Sequence, residues 1–142
     1  DYGVHTVPGF VEFFFVRGGR SIDWQYRVKG RSWWEEEELT YAEGLKALEL
    51  YKEVKPKVVF SHECPTDVIE FVSGFKTWDG EPIMPSRTAH LLNSMLSEHQ
   101  PKTWIFGHHH KDWQGVVQGT EFRCLGILSF VDFDENGNLI KV

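Results

Sequence analysis

The chain has 142 residues, of which 41% are hydrophobic, 25% charged and 15% aromatic. A chain of this length forms one domain, and its apolar content excludes disordered and collagen-like structure. The net charge of −6 argues against a dedicated binder of duplex DNA that works through a broadly basic face, and it leaves room for local basic patches. The longest apolar run, residues 13–16, is far too short for a transmembrane helix, so we expect no membrane association.

The cysteine content indicates a reducing compartment. Cys64 and Cys124 are too few for a disulfide framework, and such cysteines are typical of cytosolic proteins, where they pack as small apolar side chains. We therefore expect a cytoplasmic protein with both cysteines in its core. The chain begins at Asp1, which indicates either that a segment has been removed or that this is a piece of a longer protein.

The first predicted elements are a strand and a long loop. Residues 11–16 are rich in aromatic and β-branched side chains and are followed by Gly18 and Gly19, which is typical of a strand that ends in a turn. Residues 20–34 show neither a helical nor a strand period, but they carry too many apolar side chains for disorder. We expect an ordered, functional loop there.

Two helices follow. Thr40 and Glu43 have the spacing of a capping box, and the apolar residues after them recur at helical intervals until Pro56 prevents continuation. A second helix is predicted from about Ser86 to about His99. Its stripe of leucine and methionine indicates a core-facing side.

The remaining segments predict strands. Residues 58–61 and 103–106 are short β-branched and aromatic runs, each preceded by a helix, which favours parallel neighbours in one sheet. Residues 115–142 alternate like antiparallel strands, with residues 134–137 as the turn of a final hairpin. Together these elements predict an α/β (α+β) domain over residues 1–142, with a mixed sheet and a C-terminal antiparallel hairpin.

The two predicted parallel strands end in the same way. Residues 55–62 and 100–108 each run from a helix end through a proline, a lysine and a buried strand to a small residue and a histidine. Ligands of such sheets bind beyond the carboxyl ends of the strands. We therefore expect His62 and His108 to face one site.

A third histidine joins this pair in the prediction. Gly107 permits a sharp bend, and residues two apart on an extended stretch point the same way, so His108 and His110 can converge while His109 points elsewhere. Three imidazoles favour a transition metal such as zinc, manganese, iron or nickel over magnesium or calcium. The sequence therefore predicts a metal site of His62, His108 and His110.

The two segments that contain these histidines resemble motifs of a known family. SHECP at residues 61–65 resembles the Thr-His-x-x-Pro segment of the calcineurin-like metallophosphoesterases, and FGHHH at residues 106–110 resembles their closing Gly-His-x-His motif. Residues 15–23, continuing to Trp33, Trp34 and Glu37, are similar to a stretch that many bacterial and phage members carry between their catalytic halves. The resemblance implies the C-terminal half of a four-layer α/β/β/α sandwich, in which two metal ions promote in-line attack on a phosphate ester.

Carried over residue by residue, the resemblance makes His62 and His108 ligands of one metal and His110 a ligand of the other, and it gives His109 no role. The implied cofactors are two divalent ions of manganese, iron, zinc or nickel. The family's Asp-x-His, Gly-Asp-x-x-Asp and Gly-Asn-His motifs are absent from the sequence. We therefore expect a missing N-terminal half to supply them, and at most one weakly bound ion without turnover in this chain.

A basic segment offers candidate substrate contacts. Residues 17–31 hold five basic side chains and one acidic one, interleaved with aromatic residues. Arg17 and Arg20 are the candidates for binding a phosphate ester, and single-stranded nucleic acid is one substrate that charge and stacking would hold. The alternative is that these basic groups pair with the acidic run at residues 35–38.

A second interpretation is a binding module rather than an enzyme. In it, His62, His108 and His110, with Cys64 as an optional fourth ligand, hold one structural zinc, and the loop rich in arginine and tryptophan engages a partner. A closed tetrahedral site would favour this interpretation. Asp112, which follows the histidine cluster, is a weaker candidate for a hydrogen bond to a ligand histidine.

Overall fold

A computed structural model describes residues 1–21, 23–77 and 79–140, which form a six-stranded mixed sheet, three α-helices and a two-stranded hairpin. The strands are β1 (Tyr2–His5), β2 (Phe13–Val16), β3 (Val58–Ser61), β4 (Thr103–Phe106), β5 (Trp113–Val117), β6 (Thr120–Cys124), β7 (Asp132–Phe133) and β8 (Leu139–Ile140). The helices are α1 (Tyr41–Val54), α2 (Thr66–Ser73) and α3 (Arg87–Glu98). The predicted α/β class, with its mixed sheet and C-terminal hairpin, is confirmed.

The strand order in the sheet is β1-β2-β3-β4-β6-β5. Strands β2, β3, β4 and β6 run parallel, and β1 and β5 pair antiparallel with their neighbours at the two edges. The predicted parallel pairing of β3 with β4 is confirmed, with Val59 opposite Trp104. All the parallel strands end at one edge of the sheet, which is where ligands of such sheets bind.

The two predicted helices form where their capping residues place them. The Thr40 hydroxyl accepts a hydrogen bond from the Glu43 backbone N–H at 3.1 Å, and the Glu43 carboxylate accepts from the Thr40 N–H at 3.0 Å. Helix α1 ends at Lys55, which adopts a left-handed φ of 48°. The Ser86 hydroxyl caps α3 by accepting from the Ala89 N–H at 3.1 Å.

The core lies between the helices and one face of the sheet. Phe14, Trp104 and Phe122 on this face are fully buried, and Phe14 packs edge to face on Tyr51 of α1 with ring centres 5.4 Å apart. Aromatic pairs of this geometry add about 0.5–1.5 kcal/mol to the stabilisation from burial. The helices contribute to this core through the buried residues Ala47, Tyr51, Val68, Ile69, Val72, Ala89, Leu92, Met95 and Leu96.

The opposite face of the sheet carries a second aromatic cluster. Phe13 and Phe60 pack edge to face at 4.9 Å between ring centres, and Phe10 and Phe133 pack against them. Phe133 belongs to β7, so the C-terminal hairpin covers part of this face. The hairpin therefore packs against the face of the sheet that does not contact the helices.

Some bounds differ from the sequence prediction. Strand β2 begins at Phe13 rather than Val11, and β5 begins at Trp113 rather than Gly115. Strand β1 and helix α2 were not predicted. The predicted tail ended at residues 141–142, which lie outside the described residues.

The predicted loop at residues 20–34 is an ordered connection with a short 3₁₀ turn at Trp24–Tyr26, although Ile22 lies outside the described residues. Both cysteines are buried and free, as predicted. Among the helices in the described part of the chain, none has the length and apolar character that crossing a bilayer requires.

Candidate metal centre

The structure brings the three predicted histidines to one cleft at the carboxyl edge of the sheet. His62 follows β3, and His108 and His110 follow β4. All three line a cleft of about 830 Å³, together with the glycine-rich loop after β2. The site arises because parallel neighbours end at the same edge, so residues far apart in the chain meet there.

His62 and His108 are in direct contact. Nε2 of His62 lies 2.8 Å from Nδ1 of His108, and the ring centres are 4.7 Å apart. His108 is buried, whereas His62 and His110 are exposed toward the cleft. The pair therefore has one imidazole enclosed by the protein and one that reaches the cleft.

The backbone around these histidines is strained. His108 and His110 adopt left-handed φ values of 68° and 55°, conformations that cost a residue with a Cβ roughly 1–2 kcal/mol. The His109 N–H donates to the Gly107 carbonyl at 2.7 Å, which closes a three-residue turn centred on His108. The bend expected at Gly107 therefore falls on His108. Strain of this kind is typical of functional sites.

Glu63 lies behind the histidine pair and is buried. Its Oε1 accepts a hydrogen bond from His109 Nε2 at 2.9 Å and from the Cys64 backbone N–H at 2.8 Å. Its Oε2 lies 3.2 Å from Nε2 of His108. No hydrogen bond forms there, so His108 Nε2 is buried without a hydrogen-bond partner among the described residues.

Glu63, Cys64 and His109 form a buried group that could hold one metal ion. One ligand atom from each lies within 4.8 Å of the others, and Cys64 Sγ is 3.6 Å from His109 Nε2. Sequence reasoning assigned no role to Glu63 or His109. The available signal was adjacency, because Glu63 directly follows His62 and His109 lies between His108 and His110.

Burial sets the protonation states of these groups. Burial lowers the pKa of His108 to about 4, and it also lowers the pKa of His62. Burial opposes ionisation of Glu63, but the hydrogen bond from His109 and the nearby imidazoles bring its pKa below the ordinary value. Burial, reinforced by the charge of Glu63, raises the pKa of the Cys64 thiol. At neutral pH the site therefore holds a neutral His108, a carboxylate and a thiol.

The loop after β2 approaches the histidines closely at Gly18 and Gly19. A Cβ at Gly19 would lie 3.2 Å from the His62 ring and 3.2 Å from Glu63 Cβ. Gly18 has a φ of 80°, and a Cβ there would lie 1.9 Å from the Glu37 carbonyl oxygen. The same carbonyl accepts a hydrogen bond from the Gly19 N–H at 3.1 Å. This loop therefore forms one wall of the cleft.

The two candidate arginines lie in different places. Arg17 lines the cleft and donates from Nη1 to the Glu36 carbonyl at 3.3 Å. Arg20 donates from Nη2 to the Met84 carbonyl at 3.1 Å and lies 4.5 Å from the centre of the Trp24 ring, and it is not among the residues that line the cleft. The structure therefore brings only Arg17 of this pair to the histidines.

Lys29 of the basic segment and Asp112 have partners close to them in the structure. Lys29 pairs with Glu35 at 2.6 Å, which agrees with the alternative that the basic segment neutralises the acidic run. Asp112 accepts a hydrogen bond from the Gly126 N–H at 3.0 Å. These contacts account for Lys29 and Asp112 without a ligand.

No family model matches the chain, and no curated protein matches it. The chemistry of the site therefore follows from its own residues. Those residues are a buried Glu63–Cys64–His109 group that could hold one metal ion, beside a cleft lined by His62 and His108.

Proposed function

We propose that this chain forms part of the metal centre of a phosphate-ester hydrolase of the calcineurin-like metallophosphoesterase type. His62, His108 and His110 are its metal ligands in this proposal. The observation that carries it is the 2.8 Å approach of His62 Nε2 to His108 Nδ1 at the carboxyl edge of a parallel sheet. The two sequence motifs that resemble the family contain these histidines.

The donor set fits a transition-metal ion. Two imidazole nitrogens on one zinc ion, at bonds of about 2.0–2.1 Å and a tetrahedral angle, lie roughly 3.3 Å apart. His62 and His108 stand at 2.8 Å, and His62 is exposed, so a small rotation of its ring opens the pair to that distance. Neutral imidazole ligands suit zinc, manganese, iron and nickel.

The residues around the cleft suit a phosphate ester. When bound, divalent ions at such a site polarise a phosphoryl oxygen and activate water. Arg17 places a guanidinium at the cleft wall, where it can bind a phosphate oxygen by a charge-assisted hydrogen bond. The Gly18–Gly19 loop keeps this wall close to the histidines without a side chain between them.

Three imidazoles fall short of the ligand set of a two-metal site. We place the Asp-x-His, Gly-Asp and Gly-Asn-His motifs in a segment that precedes this chain in the full protein. In that arrangement the segment supplies the bridging carboxylate and the remaining ligands, and the present chain alone holds at most one ion, weakly.

The buried group supports a second candidate function, a module with a structural metal. Cys64 Sγ lies 3.6 Å from His109 Nε2. Sulfur and nitrogen ligands of one tetrahedral zinc, at about 2.3 and 2.05 Å, are separated by roughly 3.6 Å. In this case Glu63, Cys64 and His109 hold zinc for stability, and the loop rich in arginine and tryptophan binds a partner.

Turnover separates the two functions. With manganese or nickel present, we expect the 142-residue chain to hydrolyse aryl phosphate mono- and diesters no faster than background. A version extended upstream by about 80–110 residues, enough to complete a domain core, is expected to be active. His108→Asn should abolish that activity, and His90→Gln, on the exposed side of α3, should not.

Two results would contradict the hydrolase. One is enzyme-like turnover by the 142-residue chain alone, which would place the catalytic groups elsewhere. The other is an inactive extended chain that holds one tightly bound zinc, which would favour the module with a structural metal.

A further inference from the structure

We infer that Glu63 is a positioning residue that selects the tautomer of His108 and so prepares this imidazole to bind a metal. The inference deepens the proposed function and rests on it. It assigns a role to a carboxylate that neither the motifs nor the predicted ligand set includes.

The first step is the way Glu63 is held. Its side chain is only 4% exposed, and its Oε1 is fixed by two donors, the Cys64 backbone N–H and His109 Nε2. This fixed oxygen leaves Oε2 as the acceptor that faces His108 Nε2 at 3.2 Å. His109, which lies between His108 and His110 in the sequence, thus holds the carboxylate in place.

The second step is the proton on His108. An ionised carboxylate only accepts hydrogen bonds, so a ring nitrogen that faces it carries the hydrogen. His108 Nε2 has no hydrogen-bond partner among the described residues, which leaves Glu63 Oε2 as the nearby acceptor toward which a small ring rotation aims its N–H. Protonation at Nε2 leaves the lone pair of His108 on Nδ1.

The third step is the direction of that lone pair. Nδ1 of His108 faces His62 Nε2 across 2.8 Å, so in the metal-free protein His62 donates its Nε2 hydrogen to His108. His62 is exposed and can transfer its hydrogen to its own Nδ1 through water. Both facing nitrogens then offer lone pairs to one ion. Carboxylates that accept from the far nitrogen of a ligand histidine orient metal ligands in this way.

The test begins with the metal-free chain. Long-range ¹H–¹⁵N correlation spectra at neutral pH report which nitrogen of each histidine carries the hydrogen. We expect His108 to be protonated at Nε2 in the unsubstituted protein. Protonation at Nδ1 there would overturn the inference without any variant.

Glu63→Gln tests the cause. Because the Cys64 N–H and His109 hold the Oε1 position, the amide oxygen should occupy it, and the NH₂ group should then face His108 Nε2. A donor at that point requires a lone pair on Nε2, so we expect the hydrogen to move to Nδ1. Affinity for nickel or zinc should fall about 10–100-fold, the usual loss when such a supporting group is removed. A folded variant with an unchanged tautomer would overturn the inference.

Two further variants separate this role from the alternatives. Glu121→Gln removes a carboxylate from β6 that pairs with Arg123, and it should change neither the tautomer nor the affinity. Cys64→Ala should also leave the affinity within about twofold, the scatter of a site whose ligands are intact. A thiolate-to-cobalt charge-transfer band in the cobalt-loaded protein, lost in Cys64→Ala, would overturn the inference, because Glu63 would then belong to a buried metal site.

The inference and the proposed function can fail separately. If neither the 142-residue chain nor the version extended upstream binds nickel or zinc, the proposed metal site of His62 and His108 is wrong, and with it the preparation of His108 for a metal. If either binds these metals but the tautomer ignores Glu63→Gln, the metal site stands and the positioning role is wrong.

Discussion

Nε2 of His62 lies 2.8 Å from Nδ1 of His108, although 46 positions separate them in the chain. The register of the sheet produces this contact. Phe60 of β3 is paired with Ile105 of β4, and the Gly107 N–H donates to the His62 carbonyl at 3.1 Å beyond the last strand pair. The two histidines therefore follow the ends of neighbouring strands at nearly the same height in the sheet. A metal ion bound by both would connect β3 and β4.

The first prediction concerns the loss of one ligand. His108→Asn should weaken nickel or zinc binding by more than about 100-fold, because losses of supporting groups alone reach 10–100-fold. Asparagine is chosen because it tolerates the left-handed φ of 68° better than alanine, so the fold is retained. Isothermal titration calorimetry measures the affinity. His90→Gln, on the surface of α3, is the control, and equal affinities of the two variants would contradict the assignment.

The second prediction is a pH dependence of stability. Burial lowers the pKa of His108 in the folded protein to about 4, whereas a histidine in the unfolded chain has its ordinary pKa of about 6.5. Between these values the unfolded chain binds more protons, so stability falls as the pH is lowered. At about 1.36 kcal/mol per pH unit, His108 alone should reduce the unfolding free energy by roughly 2–3 kcal/mol between pH 7 and pH 4.5.

Urea unfolding of the metal-free protein at both pH values measures this change. His108→Asn should lose that part of the pH slope and keep the part due to other groups. A variant slope as steep as that of the unsubstituted protein would show that His108 is not the group that resists protonation.

Much of this site could be predicted from local patterns, and part of it could not. Histidines at the ends of two similar strand segments predict convergence, because parallel strands end at one edge of a sheet. The role of Glu63 depends on its partner His109, which lies 46 positions away and has no sequence pattern of its own. The alternation of side chains along an extended stretch does not apply here, because His108 and His110 adopt left-handed φ values, so it could not locate His109.

The unpredicted elements have similar causes. Helix α2 has only eight residues and starts after Pro65 without a side-chain cap, so its local signals are weak. It forms because Val68, Ile69 and Val72 are buried in the core. Strand β1 contains Gly3, which weakens its strand propensity. It lies at the edge of the sheet and pairs with β2 alone, so tertiary contact rather than propensity decides its structure.

The third prediction separates two adjacent glycines. Gly18→Ala should destabilise the fold by more than about 2 kcal/mol, because the new Cβ adds a clash with the Glu37 carbonyl to the cost of a positive φ. Gly19→Ala should retain the fold, since its φ is not in the left-handed range, but it should weaken metal binding by pressing on the His62 ring. Thermal unfolding and metal titration of each variant measure the two effects.

Gly30→Ala supplies the control for backbone strain. Gly30 has a φ of 75° but nothing within 4 Å of the added Cβ, so it should cost only the roughly 1–2 kcal/mol of the left-handed conformation. If Gly18→Ala were no more destabilising than Gly30→Ala, the close contact with Glu37 would not be important. An unchanged metal affinity in Gly19→Ala would place the loop outside the metal site.

The last prediction compares the two arginines that the sequence put forward together. Arg17 lines the cleft, donates to the Glu36 carbonyl at 3.3 Å and lies 3.8 Å from the Asp1 carboxylate. Its side chain is still 46% exposed, so its guanidinium can also bind an anion. Arg20 is engaged by the Met84 carbonyl and the Trp24 ring. Arg17→Gln should weaken binding of inorganic phosphate to the zinc-loaded chain about fivefold to tenfold, since a partly exposed charged hydrogen bond contributes about 1 kcal/mol. Arg20→Gln should leave it within about twofold, because Arg20 lies outside the cleft and makes no contact with an anion bound there. Calorimetry with phosphate measures both, and a larger effect from Arg20 would move the anion site out of the cleft and toward Trp24.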